Sequence, residues 1–266
     1  MSKKLVNIFL LHFQQALQFR AKNFIWFIQS LVNPFVLMLF WRGAVGKEST
    51  IGGWNIGQIQ SYYLLTIVAL VLLMHSVDVI VARKDIKDGD LSHILLRPFS
   101  YLSLRLISEA PERLIQGTYG LFAVIAIPWL RHFTITISSD PTVIFQTIII
   151  SVLAYMISFF YRIVVGFIAF WLTDIHSIVE IQEIFAMLFT GVIMPLAFMP
   201  DLISKVAHLT PLPYIIYYPV TTLLGMHDSE MIMRIIGVQL LWLIGFMLLY
   251  RIMWKNWLKN FTGVGQ

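Results

Sequence analysis

The sequence predicts an all-α polytopic membrane protein: six transmembrane helices, an N-terminal amphipathic interfacial helix, a short cytoplasmic helix after the second span and re-entrant helices before the last. Three observations lead there. Of the 266 residues, 58% are apolar and only 12% charged, whereas a soluble domain carries roughly a quarter charged residues. Apolar stretches near the ~20 residues that cross a hydrocarbon core recur along the chain. Its Lys and Arg residues gather on alternate loops, as they do in membrane proteins. This composition excludes an ordinary water-soluble enzyme, and its low charge excludes disorder. Because the chain has no Cys, it has no disulfide, thiolate nucleophile, zinc–thiolate site or iron–sulfur cluster. Six spans consume nearly all of it, so residues 1–266 are read as one membrane domain.

Residues 1–22 begin that domain as an interfacial helix. Val6, Phe9, Phe13, Ala16 and Leu17 share one face and Asn7, Gln14 and Gln18 another, with Lys3, Lys4, Arg20 and Lys22 at the ends for anionic headgroups. A plain extension of the first span is the other reading. A signal peptide is excluded, because Asn7 and His12 interrupt the apolar stretch and no small-residue cleavage site follows. Span one covers 23–41, free of charge and kinked by Pro34. Span two covers 61–82, with Asp78 expected as a solvated terminal charge near Arg83 and Lys84. Span three covers 114–130. Span four runs from 142 to 171, long enough to require tilt or a break, and its Arg162 is expected to snorkel. Span five covers 181–199 and contains Gly191 and Pro195. Span six covers 235–250 and leads into Arg251, Trp254, Lys255, Trp257 and Lys259, which read as an interface anchor.

Of the 19 Lys and Arg residues, thirteen lie in the two termini and in 83–113, five lie near 42–60, 131–141 and 200–234, and Arg162 stands apart. The positive-inside rule therefore puts both termini and the 83–111 loop in the cytoplasm of a cell inner (plasma) membrane. The net charge of +5 is explained by membrane topology, with no nucleic acid required.

Two connections are unlike ordinary loops. In the 83–111 loop, Leu91, Ile94 and Leu95 fall on one face of a short amphipathic helix, which Asp88 or Asp90 caps, Arg97 completes and Pro98 stops. It is either a docking element for a cytosolic partner or a helix lying on the membrane. The 195–225 segment holds five of the ten prolines, Pro195, Pro200, Pro211, Pro213 and Pro219, yet stays apolar. A continuous helix cannot pass through it. Broken backbone at membrane depth must be buried in protein or line a cavity, which points to re-entrant helices forming an outer gate. A folded external loop is the alternative.

These residues resemble the membrane permease subunit of ABC-2 type transporters over nearly the whole chain. The stretch Asp88-Gly-Asp-Leu-Ser-His-Ile-Leu-Leu-Arg-Pro98 is similar to the Gly-x-Leu-x-x-Leu-Leu-x-Arg-Pro pattern of that family's first cytoplasmic loop. Ala169-Phe-Trp171, Gly191-x-x-x-Pro195, Pro200, Leu212-Pro213, Pro219 and Gly225 follow in the family's order. The resemblance implies a six-span fold with a coupling helix after span two. It also implies a second permease chain, the same or paralogous, and separate ATPase subunits that carry ATP and Mg, so that this chain binds no cofactor itself. On this reading Gly89 turns the chain into the coupling helix with Asp90 following, Leu91, Leu95 and Leu96 fill an apolar groove on the ATPase, Arg97 pairs with an acidic edge, and Pro98 ends the helix.

The missing chemistry is consistent with this. No phosphate-cradling Gly-x-x-x-x-Gly-Lys-Ser/Thr loop and no His-Glu-x-x-His occurs, and the seven His are scattered without metal-ligand spacing. The candidate pathway and gate residues are Arg162, Glu180, Glu183, Gly191, Pro195, Pro200, Pro213 and Pro219. Glu180 and Glu183, one turn apart, present two carboxylates at the start of span five. With Arg162 they either face a vestibule that attracts cationic or zwitterionic substrates or are solvated at the membrane edge. Two other classes compete with the permease: an ion-gradient-driven secondary transporter, which wants ionisable groups near the midplane and paired broken helices, and an intramembrane lipid enzyme. The reading that results is a transmembrane permease subunit of an ABC exporter, not itself an enzyme, whose partners are ABC ATPase subunits, a second permease and membrane lipid.

Overall fold

The computed structural model describes residues 2–44, 50–131, 135–172 and 176–258. Their regular structure is helical, apart from an isolated bridge between Ile51 and Trp54. Helix α1 (Ser2–Gln18) meets α2 (Arg20–Ala44) at a corner on Phe19, where the buried Asn23 side chain donates to the Ala16 carbonyl at 2.9 Å. The first helix thus ends before residue 22, and α2 carries Pro34 in its interior.

Helix α3 (Ile56–Leu73) starts ahead of the expected residue 61. Asn55 and Gln58 form a reciprocal capping box that satisfies two otherwise orphaned amides. It also stops earlier than expected. The backbone is extended at Met74, and the His75 amide donates to the Ser158 hydroxyl oxygen at 3.2 Å instead of to a helical carbonyl. The chain then resumes as α4 (Val77–Ile80) and widens into a π-helical turn, Val81–Lys87, closed by Asp88 N–H to Arg83 O at 2.8 Å. Helix α5 (Asp90–Leu95) follows. Its N-terminus is turned by Gly89 at φ +79°, not capped by a carboxylate from Asp88 or Asp90.

Helix α6 (Tyr101–Arg131) begins far before residue 114, because the Ser100 hydroxyl accepts the Ser103 amide at its start. The 83–111 loop is therefore largely helical and ends at residue 100. Helix α7 (Pro141–Phe167) opens with Asp140 accepting from the Thr142 amide at 2.8 Å and Pro141 in the first turn, and ends in a 3₁₀ turn, Ile168–Phe170. Helix α8 is His176–Phe189. Its 14 residues span about 21 Å, so the stretch 181–199 is not one helix: the chain turns at Thr190 and Gly191 and then makes a 3₁₀ turn, Leu196–Phe198. Helices α9 (Asp201–His208) and α10 (Tyr217–Leu223) flank a further 3₁₀ turn, Leu212–Tyr214, and α11 (Ser229–Leu258) is the last described element.

Among the described residues, four helical stretches are suited by length and composition to cross a membrane: Arg20–Ala44, Ile56–Lys87, Pro141–Phe170 and Ser229–Trp257. Helix α11 packs along α7, α2 along α3, and both α1 and α3 against α6. The proline-rich segment is peripheral along α9, whose Leu202 and Val206 are exposed, but not beyond it. Helix α10 wedges between α3 and α7, and 212–222 is buried throughout. Gln239 of α11 ties it in by donating to the carbonyls of Ile150 and Tyr214 at 3.0 and 2.9 Å. At the other end, the two tryptophans of the tail expected as an interface anchor pack inward, while Arg251 and Lys255 stay exposed. Trp254 stacks on Tyr101 and Phe167, and Trp257 is buried against Phe167 and Phe170. Stacked and edge-to-face aromatic pairs of this kind add about 0.5–1.5 kcal/mol each beyond the area they bury. Lys259 lies outside the described residues.

Candidate functional site

The segment 74–100 carries the chemistry. Its short helix α5 is amphipathic in the simplest way. Leu91 (1% exposed) and Ile94 (8%) pack into a cluster with Val77, Val81, Tyr101, Leu104 and Ile163. Leu95, Leu96, Arg97 and Pro98 face outward, with Leu96 at 85% exposure. The structure thus separates residues that the sequence grouped: Leu91 anchors the helix to its own bundle, and Leu95 and Leu96 form the free apolar rim. Burying one leucine of this kind is worth about 1.5–3 kcal/mol, enough to hold a six-residue helix in place.

Three groups of buried charge brace the stem beneath α5. Asp85, fully buried, receives Arg105 through Nε at 2.8 Å and through Nη2, and accepts the Tyr101 hydroxyl at 2.5 Å. His75 meets the Glu109 carboxylate at 2.5 Å, and Arg113 lies 4.0 Å from the same oxygen while donating to the Ser76 hydroxyl at 2.9 Å. The Glu109 carboxylate is thus flanked by His75 and Arg113.

The third group is the deepest. Arg162 on α7 does not snorkel: it is 2% exposed, and its Nη1 donates to Asp78 at 2.9 Å, Gln182 at 3.0 Å and Glu183 at 2.6 Å. Asp78 is likewise not a solvated terminal charge but is fully buried. Gly166 permits this closeness, since a Cβ there would stand 2.8 Å from Val81 Cβ and 2.9 Å from the Asp78 carbonyl oxygen. An unpaired charge in such a place costs several kcal/mol, so the carboxylate and guanidinium must find each other. Glu183 reaches the group from α8, and Glu180 is exposed on the same helix.

The expected gate residues form a separate construction at the far end of α3. Gly191, at φ +84°, offers its carbonyl to the Tyr62 hydroxyl at 2.9 Å, and a Cβ on it would lie 2.5 Å from that hydroxyl oxygen. Tyr63 donates to Ile193 O at 3.1 Å and accepts from the Trp41 indole at 2.8 Å. Pro195 leads into the 3₁₀ turn and Pro200 into α9, while Pro213 and Pro219 are buried in the 212–222 stretch. The structure brings Arg162 to Glu183 and Gly191 to the tyrosines; it does not join the two groups.

Sequence reasoning missed His75, Asp78, Asp85, Tyr101, Arg105, Glu109 and Arg113 as a set. One signal was present: Asp78 and Arg162 are opposite charges inside two apolar stretches, and opposite charges there pair.

A family model described as ABC-2 family transporter protein matches residues 31–265. No curated protein and no solved structure matches the chain.

Proposed function

The chain belongs to the ABC-2 family of transporter proteins and is an integral membrane protein, and from that premise we propose that it is the permease subunit of an exporter, moved by a separate ATPase that pushes on α5. One observation carries the reading. The end of helix α5 and the turn after it show an exposed rim of Leu95, Leu96, Arg97 and Pro98, while Leu91 and Ile94 lock the helix into the bundle. Such a knob transmits a push as a rigid lever.

On this reading Gly89 and Asp90 turn the chain into the lever, Leu95 and Leu96 seat in an apolar groove on the ATPase, Arg97 pairs with an acidic edge and Pro98 ends the element. ATP and Mg reside on the ATPase. Closure of two ATPases drives a pair of permease chains from an inward-open to an outward-open packing, a shift between two pre-existing arrangements. The six crossings are α2, α3 with α4, α6, α7, α8 continued through 199, and α11, with α9 and α10 as re-entrant helices at the outer gate. Gly191, Pro195, Pro200, Pro213 and Pro219 shape that gate. Both termini lie in the cytoplasm of the inner membrane.

The test is affinity purification of the tagged protein from its host in mild detergent, with mass spectrometry of stoichiometric partners and an ATPase assay. The expected result is a co-purifying soluble ATPase that is lost when Leu95 and Leu96 are both changed to Asp, with thermal stability of the permease preserved. A folded, wild-type protein that repeatedly comes without an ATPase overturns the proposal.

A further inference from the structure

The junction at Arg162 joins three separate elements with one guanidinium nitrogen, and its two carboxylates are in unequal positions. The Asp78 side chain is 0% exposed and the Glu183 side chain 42%. Asp78 belongs to the segment that runs directly through the π-helical turn into α5, where the Asp85–Arg105 pair stiffens it. Glu183 belongs to α8, which is held loosely: Gln182 and Ala186 are its buried positions among those described, and Ile181 and Ile184 are 54% and 67% exposed. A stripe that narrow gives α8 few packing contacts, and between helices in lipid packing and polar contacts replace hydrophobic adhesion, so the charge contact is a large part of what fixes the helix.

We infer that Arg162 and Glu183 are positioning residues that form a releasable clasp, by which α8 is held to the lever segment in one state of the cycle and freed in the other. Asp78 is the constant anchor. The polar atoms left over support two arrangements. Asp78 Oδ1 and Gln182 Nε2 are buried without a partner, although both side chains bond the same Arg162 nitrogen. When Glu183 leaves, Arg162 can turn its planar fork onto both oxygens of Asp78, and Glu183 is close enough to solvent to be hydrated. Release therefore strands no buried charge, whereas loss of Asp78 does. A push on α5 travels along the braced segment to Asp78, shifts Arg162 with it and draws it away from Glu183, which frees α8 and the turn at Gly191.

This inference rests on the transporter reading, and its test separates the two. Hydrogen exchange measured by mass spectrometry follows the peptide 176–189 in the purified permease–ATPase complex, with and without a non-hydrolysable ATP analogue. Wild type is expected to exchange faster in α8 with nucleotide. Glu183→Gln is expected to exchange fast in both conditions, its clasped population reduced about fivefold, the size a partly exposed charge pair carries, and Glu183→Asp is expected to restore part of the difference. A wild-type α8 indifferent to nucleotide, or a Glu183→Gln complex that keeps the full difference, overturns the clasp. The wild-type comparison decides even if a variant fails to assemble. Absence of an ATPase from the wild-type preparation overturns the transporter reading beneath it.

Discussion

Asp78→Asn removes one charge from the centre of the bundle while changing almost no volume. Arg162, 2% exposed, then keeps a single carboxylate, Glu183, at 2.6 Å from its Nη1. Breaking a buried pair from one side costs about 3–5 kcal/mol, because the remaining charge stays desolvated. Glu183 compensates in part, which puts the expected loss near the lower figure, about 3 kcal/mol. For a chain of this size each kcal/mol moves the midpoint by about 2–4 °C, so thermal unfolding in detergent, followed by tryptophan fluorescence, should fall by roughly 6–12 °C. The companion variant Asp78→Leu with Arg162→Met removes both charges and is expected to be less damaging than Asp78→Asn alone, since two apolar side chains need no counter-charge. A single variant within about 2 °C of wild type, or a double variant worse than the single one, would refute the buried-pair account.

Other consequences can be checked in the same preparation. Leu91→Ala should cost about 2–5 kcal/mol through the cavity it leaves, while Leu96→Ala should change stability by less than about 0.5 kcal/mol, since these neighbours are 1% and 85% exposed; chemical denaturation distinguishes them. Gly191→Ala sets a Cβ 2.5 Å from the Tyr62 hydroxyl oxygen at a φ of +84° and should destabilise by roughly 1–3 kcal/mol. Adding Tyr62→Phe should recover part of the loss by removing the clash, leaving the backbone strain. His12 is held below its ordinary value by burial and by Arg105, so its neutral form is favoured in the folded chain. Its contribution is present above pH about 6.5 and fades as pH falls through the lowered value. Thermal scans between pH 7.5 and 5 should therefore show a smaller acid loss for His12→Gln than for wild type.

Much of this architecture was legible in the sequence because it rests on local quantities. Apolar runs, the pause at 98–100 and the prolines after residue 190 mark where helices can exist; the positions of α2 and α7 follow from them closely, and α11 contains the expected 235–250 but is longer at both ends. Boundaries slipped where a single side chain decided them: Asn55 and Gln58 started α3 early, Ser100 started α6 early, and Ser158 ended α3 by capturing the His75 amide. The candidate site was half legible. The rim of α5 could be placed by spacing, but whether Leu91 or Leu95 faced the protein depended on Tyr101, Leu104 and Ile163, which lie elsewhere in the chain.

By itself the sequence determined the solvent, the helical class, the family and the element that stands out from the bundle, since composition and short-range spacing carry all four. Only the tertiary structure decided which charges are partners. Asp78 lies 84 positions from Arg162 and His75 lies 34 from Glu109, and at those separations no periodicity relates two residues. They are paired by the energetic cost of leaving a charge bare in an apolar interior, a cost that exists only once the helices have come together.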